Sequence, residues 1–203
     1  MTIVAAADPA ALAHAADTLR SGQPVVVPTD TVYGLVARAD DTEAVRTIFE
    51  WKERPDQQVM AVLVASRAQA EELGQFTPLA GRLARAFWPG PLTLVVDQQP
   101  GITLSLGPPS TTVGLRWPAA AFACALADEV GPLTATSANR HGEAPATTAP
   151  AVAEQLGRHG AVIIDGGALD GAASTVVDAR GPDPQMLRIG PLTEWDVRAA
   201  ARG

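Results

Sequence analysis

Short apolar runs alternate with amphipathic stretches along almost the whole chain. Residues 24–27, 60–64, 92–96, 112–116, 133–136, 161–164, 175–177 and 186–189 read as strands: brief, rich in Val, Ile, Leu and Thr, and bounded by turn residues. Between them lie helix-like stretches. Asp8-Pro9 reads as an N-cap with proline at the first helical position, and Gly22 closes a helix over 9–21. A helix over 41–51 places Val45, Ile48 and Phe49 at helical spacing. Ser66 caps a helix to Leu73, and Thr77-Pro78 starts another to Phe87. Helices are also expected over 119–129 and 150–156, and Thr193 caps a final one. Interleaved strands and helices predict an α/β domain with a mostly parallel or mixed sheet covered by helices. No apolar run approaches the roughly 20 residues of a membrane span.

The chain has 203 residues, which suits one domain over 1–203 with its core at about 10–190. Hydrophobic residues at 47% and charged residues at 18% exclude a disordered chain. The start, MTIVAAADPAALAHAAD, lacks a basic n-region, so no signal peptide is expected. Cys124 stands alone, which rules out an internal disulfide and a multi-cysteine metal site and fits a reducing cytoplasm. The net charge of −7 argues against bulk nucleic-acid binding, though not against a local basic pocket. Of fifteen basic residues only Lys52 is lysine. A compact ammonium on a flexible stem does what a planar guanidinium does not, so this lysine is a candidate for function.

Several chemistries are absent. There is no P-loop, no dinucleotide fingerprint and no G-x-S-x-G elbow. His14, His141 and His159 have no metal-ligand spacing. Cys124, in AFACALA, reads as a buried inert thiol. Five polar clusters remain. Residues 28–35, PTDTVYGL, follow a strand and put two threonines, an aspartate and a tyrosine where a polar cup or a tight turn would form. Lys52 and Arg54 are two apart in KERP. In residues 111–116, TTVGLR, strand geometry puts Thr112, Gly114 and Arg116 on one face, and an arginine there needs an anionic ligand or an internal carboxylate. Residues 134–139, TATSAN, end a strand in small hydroxyl and amide groups. Ser174-Thr175 leads into another strand, followed by Leu187-Arg188-Ile189-Gly190. Together they suggest a pocket for a polyanion and a small polar molecule. The Gly- and Pro-bearing segments 98–111 and 138–149 are long enough to be functional loops.

The ordered set PTDTVYGL (28–35), Lys52-x-Arg54, FWPGPLTLV (87–95) with TVGLR (112–116), TSAN (136–139), and STVVD (174–178) with LRIG (187–190) resembles the Sua5/YrdC family, the threonylcarbamoyl-AMP synthases, in its short single-domain form. The resemblance implies a YrdC-like twisted, open, mixed sheet flanked by helices, with a deep ligand cavity. It implies a nucleotidyltransferase that makes threonylcarbamoyl-AMP and pyrophosphate from L-threonine, bicarbonate and ATP with Mg²⁺, for t6A modification of tRNA by a downstream transferase complex. Thr31, Arg116, Ala135 and Ser174 would hold threonine. Arg54, Gln58, Thr112, Ser137, Asn139, Pro145 and Arg188 would bind ATP, and Lys52 and Arg54 would be catalytic. Gln58, Leu63 and Val36 depart from the family's usual residues, which leaves a paralogue activating another carbamate as an alternative. A double-stranded RNA-binding module is a second alternative, and the acidic charge opposes tight direct tRNA binding.

Overall fold

The computed structural model describes residues 2–53, 59–169 and 171–203, with only the backbone of Arg158. In chain order the strands are β1 (Thr2–Ala5), β2 (Val25–Val27), β3 (Gly34–Arg38), β4 (Ala61–Leu63), β5 (Gly74–Gln75), β6 (Leu92–Gln98), β7 (Thr112–Arg116), β8 (Leu133–Ser137), β9 (Val162–Asp165), β10 (Thr175–Asp178) and β11 (Gln185–Arg188). The helices are α1 (Ala11–Arg20), α2 (Thr42–Lys52), α3 (Arg67–Leu73), α4 (Pro78–Phe87), α5 (Ala121–Val130), α6 (Ala149–Leu156) and α7 (Glu194–Ala201). Side-chain caps at Asp41, Ser66, Thr77, Thr148 and Thr193 start five of them by accepting a backbone N–H of the first turn. The first helix begins two residues later than its sequence signal. Asp8 instead accepts the Ala10 N–H at 2.8 Å, a local turn ahead of a helix whose own N-cap has no side-chain bond.

The strands join one sheet in the order β1-β9-β2-β3-β8-β4-β7-β6-β10-β11, with β5 paired to β6. The pairs β1/β9, β2/β9, β4/β7 and β6/β10 are parallel and the rest antiparallel, so the sheet is mixed. Three strands went unread in the sequence. The central strand β3 is buried on both faces and shows no alternation. The mostly exposed β1 is held by parallel pairing with β9, and the two-residue β5 exists only through β6.

Alternation along the strands sorts the two faces. On one face Val62, Leu92, Leu94, Val96, Val113 and Leu115 pack under α3, α4 and α7. Towards β1 that face carries Val26, Leu35, Ala37 and Ile163 under α2 and α6. The opposite face buries Val25, Val27, Val36 and Leu133 under α1 and α5. Past β8 this second face opens into a cavity. No helix among the described residues is long and apolar enough to cross a membrane. Segment 98–111 packs inward: Leu106 is buried, its carbonyl accepts the Met60 N–H, and Ser105 bonds Ala39 and Thr134. It lines no part of the cavity, because its backbone groups are used in bridging β3, β4 and β8.

Candidate active site

The cavity has a volume of about 420 Å³, the size of a small-molecule site. Its walls are the outward positions of six neighbouring strands: Gly34, Ala135 and Ser137, Ala61 and Leu63, Thr112, Gly114 and Arg116, Thr93 and Val95, and Val176. The pocket therefore spreads over the sheet's face, not only its strand ends. Gly114 opens the floor: a side chain there would begin 3.3 Å from Thr93 Cγ2.

At one end, Thr29 builds a tight turn. Its hydroxyl donates to the Val32 carbonyl and accepts the Thr31 and Val32 N–H groups. With that proton engaged, the Thr31 hydroxyl donates to Thr29 at 3.0 Å and accepts from Arg116 Nη1 at 2.8 Å. Arg116 also donates from Nη2 to Asp30 at 2.6 Å and from Nε to the Gly90 carbonyl at 3.2 Å. Among the described residues, three of its five N–H groups are engaged, which leaves two for a ligand. The side chain is almost fully buried. Burial pushes its pKa below the ordinary value, the Asp30 carboxylate opposes this, and Arg188 adds to it. The arginine thus has the internal carboxylate that the sequence left as the alternative to a ligand.

Across β6 from Arg116, Thr93 and Ser174 share a hydroxyl–hydroxyl bond of 2.9 Å. Arg188 donates from Nε to the Ser174 carbonyl at 2.9 Å and from Nη2 to its hydroxyl at 3.0 Å. The guanidinium is open to the cavity, yet the surrounding protein lowers its pKa by desolvation. Gly190 makes this possible: a Cβ there would lie 2.2 Å from the Ala173 carbonyl, so only glycine lets the chain leaving β11 pass so close to Ser174.

Thr31, Arg116, Ala135, Ser174, Thr112, Ser137 and Arg188 all line this one cavity. Three other candidates stand outside its lining. Lys52 ends α2, is 3% exposed, and donates to the carbonyls of Ser137 and Asn139, each at 2.5 Å. Asn139 turns its amide N–H groups to the carbonyls of Arg140 and Glu143, and its buried Oδ1 has no hydrogen-bond partner among the described residues. Pro145 is half-buried in the segment leading to α6. Arg54 and Gln58 lie outside the described residues.

Of the two readings of PTDTVYGL, the tight turn forms at Thr29, and Thr29 and Thr31 give the cavity part of a polar cup. Tyr33 is wholly buried on the opposite face, its hydroxyl 2.7 Å from the Gly167 carbonyl and accepting the Gly166 N–H. In a continuous strand residues 31 and 33 would share a face; the turn built by Thr29 breaks that alternation and turns Tyr33 away from Thr31's side. Burial raises the Tyr33 pKa. Cys124 is half-buried, donates to the Pro118 carbonyl, and has its pKa raised by burial, which fits an unreactive thiol. Of the histidines, His14 is exposed and His159 stacks on Trp51. Thr93, to which the sequence assigned no role, also lines the cavity, beside Thr29 and Leu63. The signal for Thr93 was a hydroxyl inside an apolar strand.

The family model described as telomere recombination, covering Sua5, YciO and YrdC, matches residues 17–190. The chain belongs to the Sua5/YciO/YrdC family. It is 42% identical over 184 residues to a putative threonylcarbamoyl-AMP synthase of Mycobacterium tuberculosis, covering 90% of this chain and 85% of that one. A threonylcarbamoyl-AMP synthase of Bacillus subtilis is 40% identical over 195 residues, covering 93% of this chain and 56% of its own. The structure of Sua5 from P. abyssi complexed with L-threonine superposes with a TM-score of 0.86 at 39% identity, covering 93% of this chain and 56% of that one. This chain thus spans most of the mycobacterial relative and just over half of the other two. Within this Sua5/YciO/YrdC domain, the lining among the described residues includes no carboxylate. The donor set suits a metal ion that arrives on a ligand's phosphates better than one caged by protein oxygens.

Proposed function

We propose that this chain is a threonylcarbamoyl-AMP synthase, joining L-threonine, bicarbonate and ATP to give threonylcarbamoyl-AMP and pyrophosphate. The observation that carries the reading is the single cavity into which Thr31, Arg116, Ala135, Ser137, Ser174, Thr112 and Arg188 converge. The names of the mycobacterial and B. subtilis relatives and the threonine complex of the P. abyssi protein support it.

The division of labour follows from the groups that line the cavity. The free N–H groups of Arg116 take the threonine carboxylate as a charge-assisted pair, and Ser174 and the β8 backbone near Ala135 flank the amino acid. The deprotonated amine adds to CO₂ and releases a proton, or condenses with bicarbonate and releases water, to form a carbamate. A carbamate oxygen attacks the α-phosphorus of ATP, a new P–O bond forms, and the bond to pyrophosphate breaks. Negative charge grows on phosphate oxygens, where Arg188, Thr112 and Ser137 stand, with Arg54 and Gln58 assigned to the nucleotide by resemblance alone. Catalysis is positioning and cationic stabilisation, with no protein nucleophile. Mg²⁺ bound to the triphosphate would supply further charge neutralisation. The product would serve the t6A modification of tRNA through a partner transferase complex in the cytoplasm.

Pyrophosphate release by the purified protein tests the reading, with ATP, bicarbonate and Mg²⁺ against a panel of amino acids. Release that depends on threonine is expected. Release with another amine instead would point to the paralogue, and silence throughout would remove the synthase.

A further inference from the structure

The hydroxyl of Thr93 is buried in the cavity lining and serves neither the threonine nor the nucleotide set. Thr93 lies on β6 between two strands that carry polar lining residues. One step beyond the Leu94/Leu115 pair it stands beside Arg116 of β7, and on its other side it pairs with Val176 of β10, two residues after Ser174. Its two branches divide between these neighbours. The methyl faces Gly114, where a Cβ would meet Cγ2 at 3.3 Å, and the hydroxyl reaches Ser174 Oγ at 2.9 Å. A β-branched side chain held on both branches keeps one rotamer. Among the described residues, Ser174 Oγ is the only hydrogen-bond partner of the Thr93 hydroxyl, and it also accepts Arg188 Nη2 at 3.0 Å. Counting protons leaves one donor over. If Thr93 donates, both lone pairs of Ser174 Oγ are filled and the Ser174 proton has no protein acceptor. If Ser174 donates, it is the Thr93 proton that has none.

We propose that Thr93 is a specificity-determining residue of the amino-acid site: with Ser174 it forms a hydroxyl pair whose spare proton bonds the carboxylate that Arg116 holds. This rests on the synthase reading for the identity of that ligand, L-threonine. Both hydroxyls line the cavity, so the spare proton is offered to whatever binds there. Thr93 is the strand neighbour of Arg116, so this O–H and the unengaged guanidinium N–H groups serve one ligand group. An anion suits that set. A buried O–H without an acceptor costs free energy, and an anionic oxygen recovers it in a charge-assisted bond. An ammonium would meet two arginines and no carboxylate in the described lining. Thr93 is needed in either arrangement: it donates to the ligand itself, or it fills the lone pair that turns the Ser174 proton outward.

Calorimetric titration of the wild-type protein, Thr93→Val and Thr93→Ser tests this, with a panel of amino acids, ATP, and L-threoninamide, in which a neutral amide replaces the carboxylate. The wild type is expected to bind L-threonine more tightly than the amide. Thr93→Val keeps the shape and loses the hydroxyl, and should weaken L-threonine by about 10- to 100-fold, the range of a hydrogen bond to a charged group. The amide, whose bond is neutral, should lose less, so the preference for the carboxylate narrows. ATP affinity should stay within about twofold, because Ser174 still holds Arg188. Thr93→Ser should restore most of the L-threonine affinity. Unchanged L-threonine affinity in folded Thr93→Val overturns the proposal, and so does an equal loss for threonine, its amide and ATP, the mark of a general structural defect. A wild type that binds threonine and its amide equally also overturns it, and that measurement needs no variant to fold. Another amino acid that binds in place of threonine with the same dependence on Thr93 would sink the synthase reading alone. A wild type that binds no amino acid of the panel would sink both.

Discussion

Replacing Lys52 separates two roles for the chain's only lysine. The side chain is 3% exposed and does not itself line the cavity; its ammonium reaches the carbonyls of Asn139 and of the lining residue Ser137. Lys52→Met keeps most of the buried stem and removes the charge. The Ser137 carbonyl keeps the Asn139 N–H at 3.0 Å as a partner. The Asn139 carbonyl loses its bond to the ammonium. An unsatisfied buried carbonyl costs about 1–3 kcal/mol, and a hydrogen bond to a charged group contributes about 1.5–3 kcal/mol. Relief of the ammonium's desolvation offsets part of this. The net expectation is a loss of about 2–4 kcal/mol, which a domain of ordinary stability, about 5–15 kcal/mol, survives. Urea unfolding followed by tryptophan fluorescence reads it, with Trp51 as a neighbouring reporter. The displaced Ser137 wall should raise the KM for ATP more than that for threonine. A variant within about 0.5 kcal/mol of wild type that has nonetheless lost all turnover would refute the clamp and return the ammonium to direct phosphate contact.

Three further outcomes follow from the same geometry. Gly114→Val fills the cavity floor against Thr93 and is expected to abolish ligand binding by calorimetry while the circular dichroism spectrum stays native. Gly190→Ala forces a methyl into the Ala173 carbonyl and should destabilise by about 3 kcal/mol or more in urea, since the obstacle is backbone. Asp178, hydrogen-bonded to Arg180, has a pKa below the ordinary carboxylate value. Its contribution to stability is present above the unfolded pKa and is lost as pH falls through the folded one, so Asp178→Asn should flatten the acid limb of a stability–pH profile.

Local chemistry decided what the sequence made legible. The caps at Ser66, Thr77 and Thr193 and the strand at β7 are set by short-range hydrogen bonding and alternation, and each falls where the residues placed it. Alternation also put Thr112, Gly114 and Arg116 on one face, and that face is the cavity wall. β3 and β5 left no such mark, because burial on both faces erases periodicity and a two-residue strand has none. The sequence by itself therefore determined most of the elements, the α/β class and seven of the residues that line the cavity. Only the tertiary structure decided where the charges go. Asp30 and Arg116 are 86 residues apart, and Lys52 reaches Ser137 across 85. Whether a buried cation meets a ligand, a carboxylate or a backbone carbonyl depends on distant chain segments brought within hydrogen-bond range, and no pattern along the chain encodes that distance.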